Sequence, residues 1–437
     1  MDVNFLPILM FVFLFLALGV GMHIAFGLYA IALGFAFFLW GGGGMNTVIM
    51  AIWGAMNNFA LLAIPLFIFM AIMLEKSNLV ADIYTCFYKW SGPLRGGLAV
   101  ATILVGAVIG AVSGVVAAGV IGLGVIALPQ MEHYKYNRGV NIGSVLAGGT
   151  LGQIIPPSLV MVIYGAVTGV SVGKLFAAGV SAGILLCSLF ILYILIRSFF
   201  QVDFCPALPK ESRANWKEKI DSLKVLILPM VLIFLCLGAI LSGMATPTEG
   251  AGVGAFGAIM FSIVTRRFTL DILKECLLGT LKVSSMIGWM IGGAASFGSV
   301  FAGIGGNQMV LDIAMNMPGG KWGVLALSIS FIFFLGMFLE TAALIMLAAP
   351  IVSPVLMKMG FDPLWWGIIF MTLLQIAYIS PPFGFALFYL KGVTPSHIKL
   401  GDIYWASLPF MVLQLTAVML IVFFPILGLW LPQILAN

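Results

Sequence analysis

Charged residues are scarce in this 437-residue sequence: Asp, Glu, Lys and Arg make up 8% of it, whereas 62% of the residues are hydrophobic. A soluble domain of this length carries far more surface charge, so the composition excludes a soluble fold and predicts an all-α polytopic membrane protein. The formal net charge of +5 lies mostly in loops. We therefore attribute this charge to membrane topology and expect no nucleic-acid partner.

Residues that carry catalysis or bind transition metals are also few. The five cysteines show no CxxC spacing and the three histidines are scattered, so no metal site of known spacing is present. The GxxxxGK[ST] motif is absent, which argues against direct use of ATP. Because no cluster of catalytic side chains occurs, we expect neither an enzyme nor a cofactor. The apolar N-terminal stretch lacks a basic segment and a cleavage site, which favours a mature helix over a signal peptide.

The chain does contain a duplicated interruption of its apolar stretches. Gly152–Ser158 and Ala377–Phe383 each hold a Pro-Pro pair, and the two pairs lie 225 positions apart. A Pro-Pro pair removes two N–H donors and disfavours helical geometry in the preceding residue, so both segments break a helix. Within a membrane, the freed carbonyl groups need other partners. Corresponding interruptions in two halves of a chain indicate a transporter binding site.

Apolar stretches of about 20 residues define the candidate spans. They are residues 4–20, 22–40, 47–74, 140–168, 176–197, 224–243, 247–265, 277–305, 362–390 and 404–432. Two further stretches, 96–130 and 322–358, are interrupted near Ser113-Gly114 and Gly336, and each could be one long helix or a re-entrant hairpin. Whether residues 4–40 form one span or two stays open, although small residues near position 20 favour two.

The distribution of Lys and Arg separates these alternatives, because both residues prefer the cytoplasmic side. Basic residues flank 96–130 at both ends, which predicts a hairpin that enters from the cytoplasm. Counting onward, the basic loop 198–223 is cytoplasmic and the second hairpin lies on the opposite side. The result is two repeats of inverted orientation. They are residues 1–222 (hairpin 96–130, broken helix 140–168) and 223–437 (hairpin 322–358, broken helix 362–390).

Each hairpin tip is expected to meet the broken helix of its own repeat. Unwound carbonyl groups and a hydroxyl then form an oxygen cage, which suits a hard cation better than an organic ligand. We predict sodium, since no series of carboxylates suggests a proton relay. Ser113 and Ser380 carry candidate hydroxyls; the alternative is that they only bond helix backbone groups.

Two acidic residues lie in apolar surroundings. Glu340 stands beside the second predicted cage, and an intramembrane carboxylate is costly enough to suggest a function. Glu249 lies near the start of a span, where we favour a helix N-terminal role. Residues 78–92 are too polar to span and are predicted to lie at the membrane interface, with a counterpart that begins near Asn307.

Several motifs resemble those of the large membrane subunit of tripartite ATP-independent periplasmic (TRAP) transporters. In the first half they are Ile64–Phe67, Leu74–Ser77, Trp90–Ala99, Ser113-Gly114, Ala147–Gly152, Ile155–Ser158 and Tyr164-Gly165. In the second half they are Thr246–Glu249, Gly336 with Glu340, Ala349–Ile351 with Pro354, and Pro381–Gly384. The likeness runs nearly end to end. Two departures are Val115-Val116, where the family often has further serines, and Ser380, where Thr is common.

The resemblance implies an inverted-repeat fold of the ion-transporter superfamily, working as an elevator in the bacterial inner membrane. It implies sodium-coupled uptake of an organic acid, such as a C4-dicarboxylate or sialic acid. A periplasmic substrate-binding protein would deliver this substrate, and a separate small four-helix membrane subunit would complete the transporter. A single-component sodium/dicarboxylate carrier, which needs no binding protein, is the alternative.

The resemblance also implies site residues. By analogy, sodium in the first repeat would be held by Ser113, Gly114, Gly152, Ile155 and Ser158. In the second repeat it would be held by Gly336, Ala377, Ser380 and Phe383, largely through backbone oxygens. Further candidates for contact with the substrate, or for support of the ion ligands, are Glu340, Thr150, Pro157 and Pro382.

Overall fold

A computed structural model describes residues 5–201 and 204–436, and every regular element within them is a helix. Residues 1–4, 202–203 and 437, which belong to the predicted repeats, lie outside the described residues. Among the described helices, eight are long and apolar enough to cross a membrane. The predicted all-α polytopic fold is confirmed.

The first half consists of ten α-helices. They are α1 (Phe5–Gly19), α2 (Ile24–Trp40), α3 (Gly42–Met56), α4 (Ala63–Lys76), α5 (Leu79–Ser91), α6 (Gly97–Ser113), α7 (Val116–His133), α8 (Arg138–Thr150), α9 (Leu159–Thr168) and α10 (Val172–Phe200). Residues 4–40, whose division was left open, therefore hold two helices in their described part. The stretch 96–130 is a hairpin of two helices, α6 and α7, joined at Gly114-Val115.

The second half repeats this order. Its helices are α11 (Trp216–Leu241), α12 (Pro247–Val264), α13 (Leu270–Gly303), α14 (Gly306–Met315), α15 (Gly320–Gly336), α16 (Thr341–Lys358), α17 (Pro363–Ile379), α18 (Phe385–Val393), α19 (Leu400–Phe423) and α20 (Ile426–Ala436). Helices α7 and α16 correspond residue for residue at the 225-position offset, and α8 and α17 begin at equivalent positions. The second hairpin is α15 and α16, with its tip at residues 337–340.

Two predicted spans are wrong. Residues 404–432 fall in two helices, α19 and α20, which are separated at Phe424-Pro425, because the proline has no N–H to continue the helix. Residues 47–74 fall in two helices, α3 and α4, separated by Asn57, Asn58 and a short 3₁₀ turn, Phe59–Leu62, whereas the equivalent α13 is continuous. The Asn58 side chain starts a new helical turn by accepting from the Ala60 N–H at 3.0 Å. Its amide also donates to the Ala166 carbonyl at 3.1 Å. A hydrogen bond from the Asn58 side chain to a distant residue thus interrupts the helix. Hydropathy does not indicate this interaction, because it depends on composition alone.

The helix boundaries bear on the predicted division of the chain. Helix α11 begins eight residues before the predicted span 224–243, so the proposed boundary between residues 222 and 223 falls inside it. The physical cause is a capping box, in which Asn215 accepts from the Glu218 N–H and Glu218 accepts from the Asn215 N–H. The division into two inverted repeats remains a prediction, with its boundary moved into the loop before α11.

The helices pack in two groups. We call α1–α4 and α11–α13 the framework, in which α12 packs on α4 and α13 packs on α2 and α3. We call α6–α10 and α15–α20 the hairpin bundle, in which both hairpins pack on the broken helices. The groups meet where α4 packs on α6 and α13 packs on α16. A cavity of about 440 Å³ lies between α3 and α13 of the framework and α9 and α16 of the bundle.

Helices α5 and α14 connect the two groups in each half, at the positions predicted for interfacial helices. Each is preceded by a residue with left-handed backbone geometry, Asn78 (φ 54°) and Gly305 (φ 86°). Helix α5 is also held to the framework, because the Arg267 guanidinium lies 2.6 Å from the Asp82 carboxylate. The same guanidinium donates to the Ser77 carbonyl.

Candidate functional site

The first break interrupts the helix at the Pro-Pro pair, as predicted, between α8 and α9. A short 3₁₀ turn, Leu151–Gln153, ends α8, and residues 154–158 follow without helical structure. The Pro156-Pro157 peptide bond is cis. Ser158 is fully buried with extended backbone geometry and stands directly before α9. The break therefore exposes backbone oxygen atoms inside the hairpin bundle.

The first hairpin lies against this break through glycine contacts. A Cβ atom added at Gly110 would stand 2.3 Å from the Gly152 Cα, and one added at Gly106 would stand 2.3 Å from the Gly148 carbonyl oxygen. Two backbones can approach this closely only where no side chain intervenes. The hairpin tip follows the same rule. Gly114 has φ 60°, and a Cβ there would stand 2.7 Å from the Pro157 carbonyl oxygen.

The predicted hydroxyl ligands of the first repeat lie at this contact. The Ser158 hydroxyl donates to the Gln153 carbonyl oxygen, and the Ser113 oxygen accepts from the Val115 N–H at 3.5 Å. A hydroxyl that donates its one proton keeps lone pairs for a cation. The Thr150 hydroxyl donates within its own helix, to the Ala147 carbonyl at 3.0 Å. Tip and break are therefore brought together as predicted.

Ile155 has a different environment from the other predicted residues. A Cβ added at Gly183 of α10 would stand 2.6 Å from the Ile155 side chain, so this side chain packs against α10. Its backbone N–H donates to the Leu151 carbonyl at 3.0 Å. Only its backbone carbonyl is available for the predicted sodium role.

The second break has an equivalent arrangement with fewer close backbone contacts. Gly336, at the end of α15, faces Ala377, since a Cβ at Gly336 would stand 2.6 Å from the Ala377 Cβ. Ser380 is fully buried, and its hydroxyl donates to the Ala377 carbonyl at 3.3 Å. Phe383 is 53% exposed and its ring lies 5.9 Å from that of Phe338 at the hairpin tip.

Pro382 has a structural partner of its own. Its carbonyl oxygen accepts a hydrogen bond from the Tyr404 hydroxyl at 2.9 Å, which attaches the second break to α19. The peptide bond before it, Pro381-Pro382, is cis like its counterpart in the first repeat. Because one lone pair of this oxygen is already used, Pro382 is a weaker candidate for contact with a ligand than Ser380.

Glu340 forms the start of α16. Its carboxylate accepts from the Ala342 N–H at 2.9 Å and from the Ala343 N–H at 3.3 Å. A carboxylate at a helix N-terminus is stabilised by the helix dipole and by these unpaired N–H groups. The Thr341 hydroxyl lies 3.1 Å from the same carboxylate. These N–H and hydroxyl groups, and no basic side chain among these contacts, therefore stabilise the Glu340 carboxylate inside the bundle.

Glu249 has the role favoured for it. It is the third residue of α12 and forms a capping box with Thr246, whose N–H donates to its carboxylate at 2.7 Å. Its side chain is exposed and lies in the framework. This carboxylate stabilises a helix start and takes no part in the candidate site.

Sequence reasoning missed three residues at the centre of the site. Gln153 of the first break donates through its amide to the Tyr378 hydroxyl, and Tyr378 bonds to the Thr341 hydroxyl at the second hairpin tip. Gln153 and Tyr378 occupy equivalent positions, 225 residues apart. A residue touches its own counterpart only where the axis relating two repeats passes between them. The sequence does show that Gln153 and Tyr378 are separated by the same 225 residues as the two Pro-Pro pairs. This separation alone does not indicate that the two side chains are in contact.

A family comparison decides what kind of protein carries this site. The model of the family described as "Tripartite ATP-independent periplasmic transporter, DctM component" matches residues 9–427. The chain belongs to this family. The predicted resemblance is thereby confirmed over nearly the whole sequence. TRAP large permeases are multi-pass proteins of the bacterial inner membrane, which confirms the predicted location.

Relatives carry several different names. A C4-dicarboxylate TRAP transporter large permease protein from Pseudomonas aeruginosa is 33% identical over 378 residues, which cover 86% of this chain and 87% of the relative. A sialic acid TRAP transporter large permease protein from Vibrio cholerae is 30% identical, with 94% and 95% covered. An ectoine TRAP transporter large permease protein from Halomonas elongata is 26% identical, with 92% and 93% covered.

Solved structures agree with the fold. The YdaH transporter of Alcanivorax borkumensis matches with a TM-score of 0.58 and 13% identity, covering 90% of both chains. MtrF of Neisseria gonorrhoeae matches with a TM-score of 0.64 and 14% identity, covering 90% of this chain and 85% of MtrF. At such low identity these structures support the architecture alone.

Proposed function

We propose that this TRAP large permease carries out sodium-coupled uptake of an organic acid that a periplasmic substrate-binding protein delivers. The observation that carries the proposal is the pair of equivalent tip-and-break contacts inside the hairpin bundle. The first contact holds the buried Ser113 and Ser158 hydroxyls and the second holds the buried Ser380 hydroxyl, each beside backbone carbonyl oxygens, and these are ligands suited to a hard cation. The sodium ligands are the nine residues predicted from the sequence. No enzymatic step and no organic cofactor is part of this function.

Movement of the hairpin bundle against the framework would expose the substrate on alternate sides of the membrane, as in an elevator. Two features support this. The two groups of helices are connected through α5 and α14, and each of these helices is preceded by a sharp backbone turn. The cavity of about 440 Å³ between the groups shows that their contact is incomplete on that side. The substrate would lie between the two hairpin tips.

The proposed partners are the binding protein and a small four-helix membrane subunit. Relatives named for C4-dicarboxylates and sialic acid support an acidic substrate, whereas another relative is named for ectoine, a different solute. A single-component sodium/dicarboxylate carrier remains the alternative function. It would share the tip-and-break contacts but would transport without a binding protein.

Uptake into proteoliposomes that contain the chain with its small subunit tests the proposal. We expect uptake only with an inward sodium gradient and with the loaded binding protein present. An inside-negative potential of 100 mV adds about 2.3 kcal/mol for each net positive charge that enters, so it should accelerate uptake if two sodium ions accompany a monovalent anion. Equal uptake with choline in place of sodium would contradict sodium coupling. Equal uptake without the binding protein would favour the alternative.

A further inference from the structure

Gln153 contacts the first candidate cation site and residues that directly neighbour the second. Its backbone carbonyl oxygen accepts a hydrogen bond from the Ser158 hydroxyl in the first break. Its side-chain amide donates to the Tyr378 hydroxyl and lies 3.4 Å from the Thr341 hydroxyl, both in the second repeat. The main chain of Gln153 therefore forms a hydrogen bond within the first repeat, and its side chain forms hydrogen bonds with the second repeat.

The hydrogen bonds of this group run in one direction. The Thr341 hydroxyl has a single proton, which it donates to the Glu340 carboxylate at 3.1 Å. Tyr378 must then donate to the Thr341 oxygen, and Gln153 must donate to the Tyr378 oxygen. The series thus leads from the first break to a carboxylate at the second hairpin tip. Hydrogen bonds in such a series strengthen one another.

The interior members of this series are closed to solvent. Gln153 is 4% exposed, Tyr378 6% and Thr341 2%. In this conformation a solute in the surrounding water does not reach them. Their effect on transport must pass through the groups they hold, which are the Ser158 hydroxyl at one end and the Glu340 carboxylate at the other.

We propose that Gln153 couples the two sodium sites, so that an ion at one site raises the affinity of the other. A cation at the first break would fix the Gln153 backbone and with it the direction of the amide. The hydrogen-bond series would transmit this to Glu340, which caps α16 and so sets the position of the second tip. The effect must be reciprocal, because coupling between two binding equilibria is symmetric. The inference rests on the proposed sodium coupling, and Gln153 acts in it as a positioning residue.

Sodium titrations of uptake in the same proteoliposomes test the coupling. Gln153→Met keeps the shape of the side chain and removes the amide donor, and Tyr378→Phe removes the middle hydroxyl. We expect a Hill coefficient above 1 for the native chain, falling to about 1 in both variants, with at least a fivefold higher sodium concentration at half-maximal uptake. The double variant should resemble either single variant, because one series is broken only once.

Gln414→Met is the matched control. Its amide is buried in α19 and has no hydrogen-bond partner among the described residues, so this exchange should leave the Hill coefficient unchanged. Melting temperatures of the purified variants, with and without sodium, report folding and ion binding without transport. A merely structural role for Gln153 would lower the melting temperature and leave the Hill coefficient as it is.

The outcomes separate this inference from the proposed function. If native uptake does not respond to sodium, the proposed function fails. If native uptake needs sodium but shows a Hill coefficient of about 1, or if Gln153→Met and Tyr378→Phe retain the native coefficient, then sodium coupling stands and the role of Gln153 is overturned.

Discussion

The close approach of the first hairpin to the broken helix can be tested at Gly110. Gly110→Ala would place a Cβ 2.3 Å from the Gly152 Cα, whereas ordinary contact begins at 3.4 Å. The two segments must therefore separate by roughly 1 Å, because the neighbouring atom belongs to the backbone and cannot rotate away. Overpacking of this kind costs about 1–3 kcal/mol.

This strain should appear in the affinity for sodium. The proposed cage exists only while the tip and the break are in contact. Strain that separates them therefore makes the free energy of sodium binding less favourable. At 1.4 kcal/mol for each factor of ten, about 1–3 kcal/mol corresponds to a 5- to 150-fold higher sodium concentration at half-maximal uptake. We expect the melting temperature in detergent to fall as well.

Gly392→Ala in α18 is the control, because no atom lies within 4 Å of a Cβ built there. It should keep the native sodium dependence, with equal or slightly higher stability from the better helix propensity of Ala. A native half-saturation and a native melting temperature for Gly110→Ala would refute the backbone contact. A lower melting temperature with native sodium affinity would remove the sodium cage from this hairpin.

Three further predictions concern the second break, the topology and the reactivity of Cys205. Ser380→Ala removes a buried hydroxyl and leaves the break intact, so the sodium requirement should rise about 5- to 30-fold with substrate specificity unchanged; native half-saturation would exclude Ser380 as a ligand. In a background without native cysteines, Asn215→Cys should react with an impermeant maleimide only from the cytoplasmic side, and periplasmic labelling would contradict the inverted topology. With the native cysteines present, Cys205 in the same loop should react slowly at pH 7 and about tenfold faster for each pH unit up to 9, because burial raises the pKa of its thiol to about 11. Rapid labelling of Cys205 at pH 7 would show that this loop is open.

The sequence was most informative where structure depends on local chemistry. Both helix breaks lie at their Pro-Pro pairs, because proline acts on its own backbone and on its nearest neighbours. Both hairpin stretches were found from small residues and an interruption near the middle, which are also local signals; flanking basic residues identified the first as a hairpin, and counting the crossings placed the second. The N-terminal role of Glu249 was predicted from its position at the start of a span, and the structure adds the capping box with Thr246. The contact of each tip with its own break was expected from the duplicated interruptions and the two hairpins.

The remainder depends on contacts between distant residues. The break at Asn58 involves the carbonyl of Ala166, and no pattern within residues 47–74 indicates that partner. Gln153 looked like one polar residue in an apolar segment, because its importance comes from Tyr378 and Thr341 in the other repeat. Residues that bridge two halves of a fold are therefore the ones that a single sequence reveals least.

The contact between Gln153 and Tyr378 also fixes how many copies of each feature the transporter can have. Any group away from the axis between the repeats has a counterpart elsewhere, as Pro156-Pro157 does in Pro381-Pro382. A group on the axis meets its own counterpart and so forms a single, shared feature. Ion sites can therefore come in pairs in this protein. A site on the axis, by contrast, occurs only once in each molecule.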